Sequence, residues 1–165
     1  MATITNITKR QVSITRVINA PLELVFDAWT NVEHLSKWYA PDHCPIQYIK
    51  FEGVQGGTFL SCIYTPDGKE CWCKGTFLEI VKNKRIIYIL AVANQKGQNI
   101  TAAEAGMDPE WPDETIVTVL FENEKGKTKV TLEQTVSEEL AKKTGAYPGW
   151  NLMLNNLENL LAERK

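Results

Sequence analysis

Thr58 to Ile80 reads TFLSCIYTPDGKECWCKGTFLEI, and the centre of this stretch decides how the rest of the chain must be arranged. Pro66 presets φ, Asp67 can hydrogen-bond its own backbone and Gly68 accepts a positive φ, so the tripeptide predicts a tight hairpin turn between two strands. A three-residue loop makes Thr65 the partner of Lys69, and then sets Ile63 opposite Cys71 and Ser61 opposite Cys73. Side chains alternate along a strand. One face therefore carries Phe59, Ser61, Ile63, Cys71, Cys73, Gly75 and Phe77. The other carries Leu60, Cys62, Tyr64, Glu70, Trp72 and Lys74, which include the charges, so the first face is expected to be concave.

The same reading extends outward. Ile46 to Phe51 precedes the hairpin as a strand, followed by Gly53 and Gly56-Gly57. Arg85 to Ala93 (RIIYILAVA) follows it, almost wholly apolar and expected to be covered on both faces. Thr115 to Glu122 and Lys127 to Thr135 form a second hairpin around Glu124-Lys125-Gly126. Alternation places Ile86, Tyr88, Leu90, Val117, Val119, Phe121, Val130 and Leu132 inward. Near the N-terminus, Val12 to Ile18 is a β-branched strand stopped by Asn19-Ala20-Pro21. Leu22, Val25, Phe26 and Trp29 then recur at helical spacing. Thr30 or Asn31 can cap a second short helix with Val32, Leu35 and Trp38 on its buried face, ending before Pro41. From about Pro148, Trp150, Met153, Leu154, Leu157 and Leu161 line one side of a four-turn helix. The expected fold class is α+β, with two short helices after the first strand and a curved antiparallel sheet wrapped around a long C-terminal helix. With no repeat or linker, residues 1–165 read as a single domain. Asn94 to Glu114 is long for a connection between strands. It holds Met107 and Trp111, and is expected either to act as a flap over one end of the fold or to pack Trp111 rigidly on the sheet.

Several motifs in order carry a resemblance: Ala20-Pro21-x-Glu23-x-Val25-Phe26-x-Ala28-Trp29-Thr30, Glu33-His34-Leu35-x-x-Trp38, Gly56-Gly57, Pro66-Asp67-Gly68, Gly75-x-Phe77-x-Glu79-Ile80 and Gly149-Trp150-x-x-x-Leu154-x-x-Leu157. From about Val12 to Leu161 the chain resembles the START-like (SRPBCC) superfamily. Within it, the resemblance is closest to the branch named after the C-terminal domain of the activator of the 90-kDa heat shock protein ATPase. The resemblance implies a helix-grip (START/Bet v 1-like) fold with a cavity between sheet and C-terminal helix. It implies no single activity, because lipid carriers, receptors, cyclases and chaperone activators share the fold. The chaperone activators carry a separate N-terminal domain, whereas about ten residues precede the first strand here, so a chaperone is the weaker of the expected partners.

With that cavity, the expected ligand-binding residues are Phe59, Ser61, Ile63, Cys71, Cys73, Phe77, Tyr88, Val119, Trp150, Met153, Leu154 and Leu157. An apolar lining with a few polar points suits a small hydrophobic or amphipathic molecule. The competing expectation is that these side chains simply fill the core. Arg16 shares the parity of Val12, Ile14 and Ile18, so it either binds an anionic head group or pairs with an acidic neighbour near the sheet's rim. No catalytic set is evident: His34 and His43 are not placed near a hydroxyl or thiol, and no carboxylate pair falls on the inner face. Cys71-x-Cys73 lacks further ligands at tetrahedral spacing, so no metal and no cofactor are expected. Eighteen basic against 20 acidic residues, a net charge of -2, give no field for a polyanion, so nucleic acid is not an expected partner. No apolar run approaches the ~20 residues of a membrane helix, and Met1 to Gln11 has no apolar core of a secretory signal. The cytoplasm is the expected compartment, where four cysteines read as reduced thiols.

Overall fold

In the computed structural model of the chain, residues 10–163 are described. Seven strands form one antiparallel sheet: β1 (Gln11–Ile18), β2 (Ile46–Phe51), β3 (Thr58–Tyr64), β4 (Glu70–Val81), β5 (Arg85–Val92), β6 (Glu114–Glu124) and β7 (Lys127–Ser137). Their order is β1-β7-β6-β5-β4-β3-β2, so β2 to β7 meander and β1 closes beside β7. Helices α1 (Leu22–Thr30) and α2 (Val32–Trp38) lie between β1 and β2, and α3 (Glu138–Thr144) and α4 (Ala146–Ala162) follow β7. None of the described helices is long and apolar enough to cross a membrane.

The hairpin register is the one the turn residues predict. Thr65 N–H donates to the Lys69 carbonyl, Gly68 has φ +88°, and Ser61 pairs with Cys73 and Ile63 with Cys71. At the second hairpin Lys125 and Gly126 have φ of +53° and +86° while Glu124 pairs with Lys127, a two-residue turn with both central residues left-handed. Asn31, not Thr30, caps α2, its Oδ1 accepting from Glu33 N–H. The inner sheet face is apolar as expected: Ile86, Tyr88, Val117, Val119, Phe121, Val130 and Leu132 are buried, and Leu90 is half-buried.

Gly75 on that face is fixed by close approach. A Cβ there would stand 2.1 Å from the ring of Phe59 and 2.8 Å from the Ile89 carbonyl oxygen. Gly75→Ala is expected to lower stability by about 1–3 kcal/mol through overpacking. Urea unfolding checks this; an unchanged midpoint would mean that the ring turns aside freely.

The outer face differs from expectation in one respect. Cys62, placed there with the charged residues, is fully buried, because the segment after β5 folds back over this part of the sheet. Ala93 N–H donates to the Trp72 carbonyl, Lys74 Nζ to the Gly97 carbonyl at 3.1 Å, and a Cβ at Gly97 would lie 3.6 Å from Leu60. Farther along, Trp111 packs against the core.

The last helix starts at Ala146, earlier than Pro148, and is preceded by α3, which hydrophobic periodicity does not reveal. Its signals are caps: Ser137 Oγ accepts from Leu140 N–H, Glu138 and Glu139 fill the first turn, Lys142 and Lys143 the last, and Gly145 ends it at φ +91°. On α4, Trp150, Met153, Leu154, Leu157 and Leu161 are buried against the sheet side of the core.

Candidate functional site

The inner sheet surface and α4 meet closely over β1 and β7. Trp150 Nε1 donates to Gln134 Oε1 at 2.9 Å, and Gln134 Nε2 to Thr115 Oγ1 at 3.0 Å, a buried polar chain with its groups paired. Arg16, on the inner side of β1, donates to Asn155 Oδ1 at 2.5 Å and Asn151 Oδ1 at 2.9 Å, and forms an ion pair with Glu158 at 3.4 Å. Of the two roles expected for Arg16, the structure selects pairing. Its donors are spent on α4 rather than held open for an anion.

Space remains on the other flank, beneath α1 and α2. There Trp29, Leu35, Tyr39, Tyr48, Phe51, Phe59, Phe77, Ile86 and Tyr88 enclose a void of about 20 Å³, enough for one water molecule. Its walls are rings packed edge to face: Tyr48 on Phe51 at 5.4 Å between centroids, Phe51 on Phe77 at 5.8 Å, and Phe59 on Tyr88 at 6.0 Å. Tyr39 and Tyr88 join hydroxyl to hydroxyl at 2.6 Å. Tyr39, Tyr48 and Phe51 are packed against the core yet only half-buried, so the crevice reaches the surface between α2 and β2.

The residues expected from sequence divide around this void. Phe59, Phe77 and Tyr88 line the void. Ser61, Val119, Trp150, Met153, Leu154 and Leu157 are buried but do not line it. Ile63 and Cys73 are half-buried away from it, and Cys71 is exposed at the rim. Arg16 and Gln134 bring α4 against β1 and β7, whereas Trp29 of α1 and Leu35 of α2 close the void over Phe51, Phe59, Phe77, Ile86 and Tyr88 of β2 to β5. The sequence reading misses Tyr39, Tyr48 and Phe51. Tyr39 lies just past α2 at φ −83°, ψ 56°, where helical periodicity no longer applies. In β2 a register shift between Tyr48 and Lys50 leaves Ile49 outward and exposed, and turns Phe51 inward in place of Lys50.

Enclosure governs the chemistry. Burial pushes the Tyr39, Tyr48 and Tyr88 phenols well above their usual range, and pushes the Cys73 thiol up to about 12. These groups stay protonated at neutral pH and serve as hydrogen-bond donors, not bases or nucleophiles. Cys73 thus stays a protonated thiol at pH 8. Brief iodoacetamide treatment of the native protein is therefore expected to modify exposed Cys71 first and Cys73 and buried Cys62 last, as read by peptide mass spectrometry. Equal modification of Cys71 and Cys73 would contradict the shielding of Cys73. His34, in contact with Asp27 at 3.1 Å, is not among the residues that line the void. Among the described residues no three His, Cys, Asp or Glu side chains come together as a metal site.

Residues 19–162 match the family described as activator of Hsp90 ATPase homolog 1-like protein. The chain belongs to this family. Its fold is that of several bacterial proteins of known structure. A Staphylococcus epidermidis protein solved by NMR is 28% identical, with 96% of this chain and 93% of that chain covered and a TM-score of 0.78. An AHSA1 protein from Silicibacter pomeroyi is 14% identical over 94% of this chain and 100% of that chain, with a TM-score of 0.75. A Chromobacterium violaceum protein is 20% identical over 92% and 97%, also with a TM-score of 0.75. These likenesses establish the helix-grip fold. No curated protein matches the chain in sequence.

Proposed function

We propose that this domain is a non-enzymatic binder of a small hydrophobic or amphipathic molecule, received in the aromatic crevice between α1–α2 and β2–β5 and working in the cytoplasm. The observation that carries the reading is the crevice itself: nine apolar and aromatic side chains converge on a void, and three of them are half-buried and open it to the surface. No charged side chain and no nucleophile–base pair lines it, so binding, not turnover, is what its chemistry supports.

A void of about 20 Å³ admits no guest of several heavy atoms as it stands, so uptake requires one wall to yield. The wall formed by α2 and β2 is the pliant one. α2 is two turns long, β2 is an edge strand, and the register shift interrupts its pairing with β3. The four free thiols fit a reducing compartment.

Native mass spectrometry of freshly purified protein from several expression hosts tests the proposal. A co-purified small molecule is the expected result, with chemical-shift changes on its removal centred on Tyr39, Tyr48 and Tyr88. A ligand-free protein in every host would overturn it and favour a chaperone-associated module of the kind the family description names.

A further inference from the structure

We infer that Trp29 and the Tyr39–Tyr88 pair select guests by a hydrogen-bond acceptor, which narrows the ligand to neutral aromatic molecules carrying a ring nitrogen, carbonyl or ether oxygen. This rests on the ligand-binding reading above and adds a specificity to it.

Trp29 is 3% exposed, and its Nε1 is the buried side-chain polar atom that lacks a hydrogen-bond partner among the described residues. Leaving such a donor unmade costs free energy, so it needs an explanation. Three other indoles of the chain are satisfied: Trp38 donates to the Ala28 carbonyl at 2.9 Å, Trp72 to Glu70 at 3.1 Å and Trp150 to Gln134. Trp29 meets Trp38, Tyr39 and Phe121 edge to face, and a π face replaces an oxygen or nitrogen acceptor only weakly. The same Trp29 lines the void.

A second donor stands at the void. The two phenols share one hydrogen bond at 2.6 Å, which uses one of their two protons, so whichever hydroxyl donates, one O–H remains. The lining offers no charged partner, so an anionic guest would be desolvated without compensation. Flat aromatic guests match walls built of rings at edge-to-face distances. The one-water space then has a clear use. Water accepts from these donors in the free protein, and the guest's acceptor takes its place on binding.

Naphthalene and quinoline have nearly the same shape and differ by one ring nitrogen, so they isolate the effect. Their affinities are measured for the wild type, Trp29→Phe and Tyr88→Phe, and the quinoline-to-naphthalene ratio is read within each protein, so that a change in crevice size cancels. The ratio is expected to fall about tenfold in Trp29→Phe. In the wild type, quinoline and not naphthalene is expected to move the Trp29 indole N–H resonance downfield, a readout that needs no variant. Binding of both probes with the same ratio in all three proteins and an unmoved indole resonance would overturn the selectivity while leaving ligand binding intact. Failure of both probes to bind the wild type would overturn the ligand-binding reading and this inference with it.

Discussion

Trp150→Ala is expected to remove about 3–5 kcal/mol of stability, the range for deleting a buried large aromatic side chain. That is a large share of the roughly 5–15 kcal/mol that holds such a domain together. Two effects combine. The indole fills the space between α4 and the sheet, packing on Tyr39 at 5.7 Å between centroids. Its N–H also satisfies Gln134 Oε1, and Gln134 is buried, so truncation strands a carbonyl away from water. The two contributions separate in a cycle. Trp150→Phe keeps most of the volume but strands the amide, whereas Trp150→Phe combined with Gln134→Leu removes both ends of the hydrogen bond. The double variant is expected to be more stable than the sum of the single changes by about 1 kcal/mol. Urea unfolding of the wild type, Trp150→Ala, Trp150→Phe, Gln134→Leu and the double variant checks both statements, and strict additivity would show that the bond carries no coupling.

Alkali is expected to unfold the domain steeply. The Cys73 thiol is held at about 12 instead of its ordinary 9.0, and burial lifts the phenols of Tyr39, Tyr48 and Tyr88 above 10.0. In each case the folded state keeps a proton that the unfolded chain has lost. Stability from these groups is thus complete below pH 9 and falls as pH rises, from pH 9 for the thiol and from pH 10 for the phenols. Each group costs about 1.4 kcal/mol per pH unit in its window. Urea midpoints measured from pH 8 to pH 11 should decline with a break near pH 10, where the three phenols join. Cys73→Ala should make the segment between pH 9 and pH 10 shallower, with burial of Cys62 and Cys71 leaving a residual slope. A midpoint constant to pH 11 would contradict the enclosure of the crevice.

Much of the architecture is legible in the residues because local chemistry dictates it. Pro66-Asp67-Gly68 determines the pairing of Ser61 with Cys73, and that pairing determines which side chains of β3 and β4 face inward. The crevice is less legible. Phe59, Phe77 and Tyr88 follow from strict alternation, but Tyr39 follows a helix end and Phe51 follows a bulge, and each breaks the period on which a face assignment depends. Helix α3 shows the opposite case: its apolar pattern is too short to register, yet Ser137, Glu138, Glu139, Lys142, Lys143 and Gly145 spell its beginning and end. The burial of Cys62 could not be read locally, because the segment that covers it lies more than thirty residues farther along the chain. Nor does periodicity tell packing from pocket on α4, since Trp150, Met153, Leu154 and Leu157 would show the same spacing in either case.

Arg16 bonds to Asn151 and Asn155 and pairs with Glu158, three positions climbing two turns of α4. A side chain on one strand thereby sets the axial registry of the helix, since sliding by a single turn would bring the apolar Leu154 to the place of Asn151 or Glu158 and leave a guanidinium donor without its partner. One flank of the molecule is consequently pinned as a strut. The half-buried rings of Tyr48 and Phe51 sit on β2, at the opposite edge of the sheet.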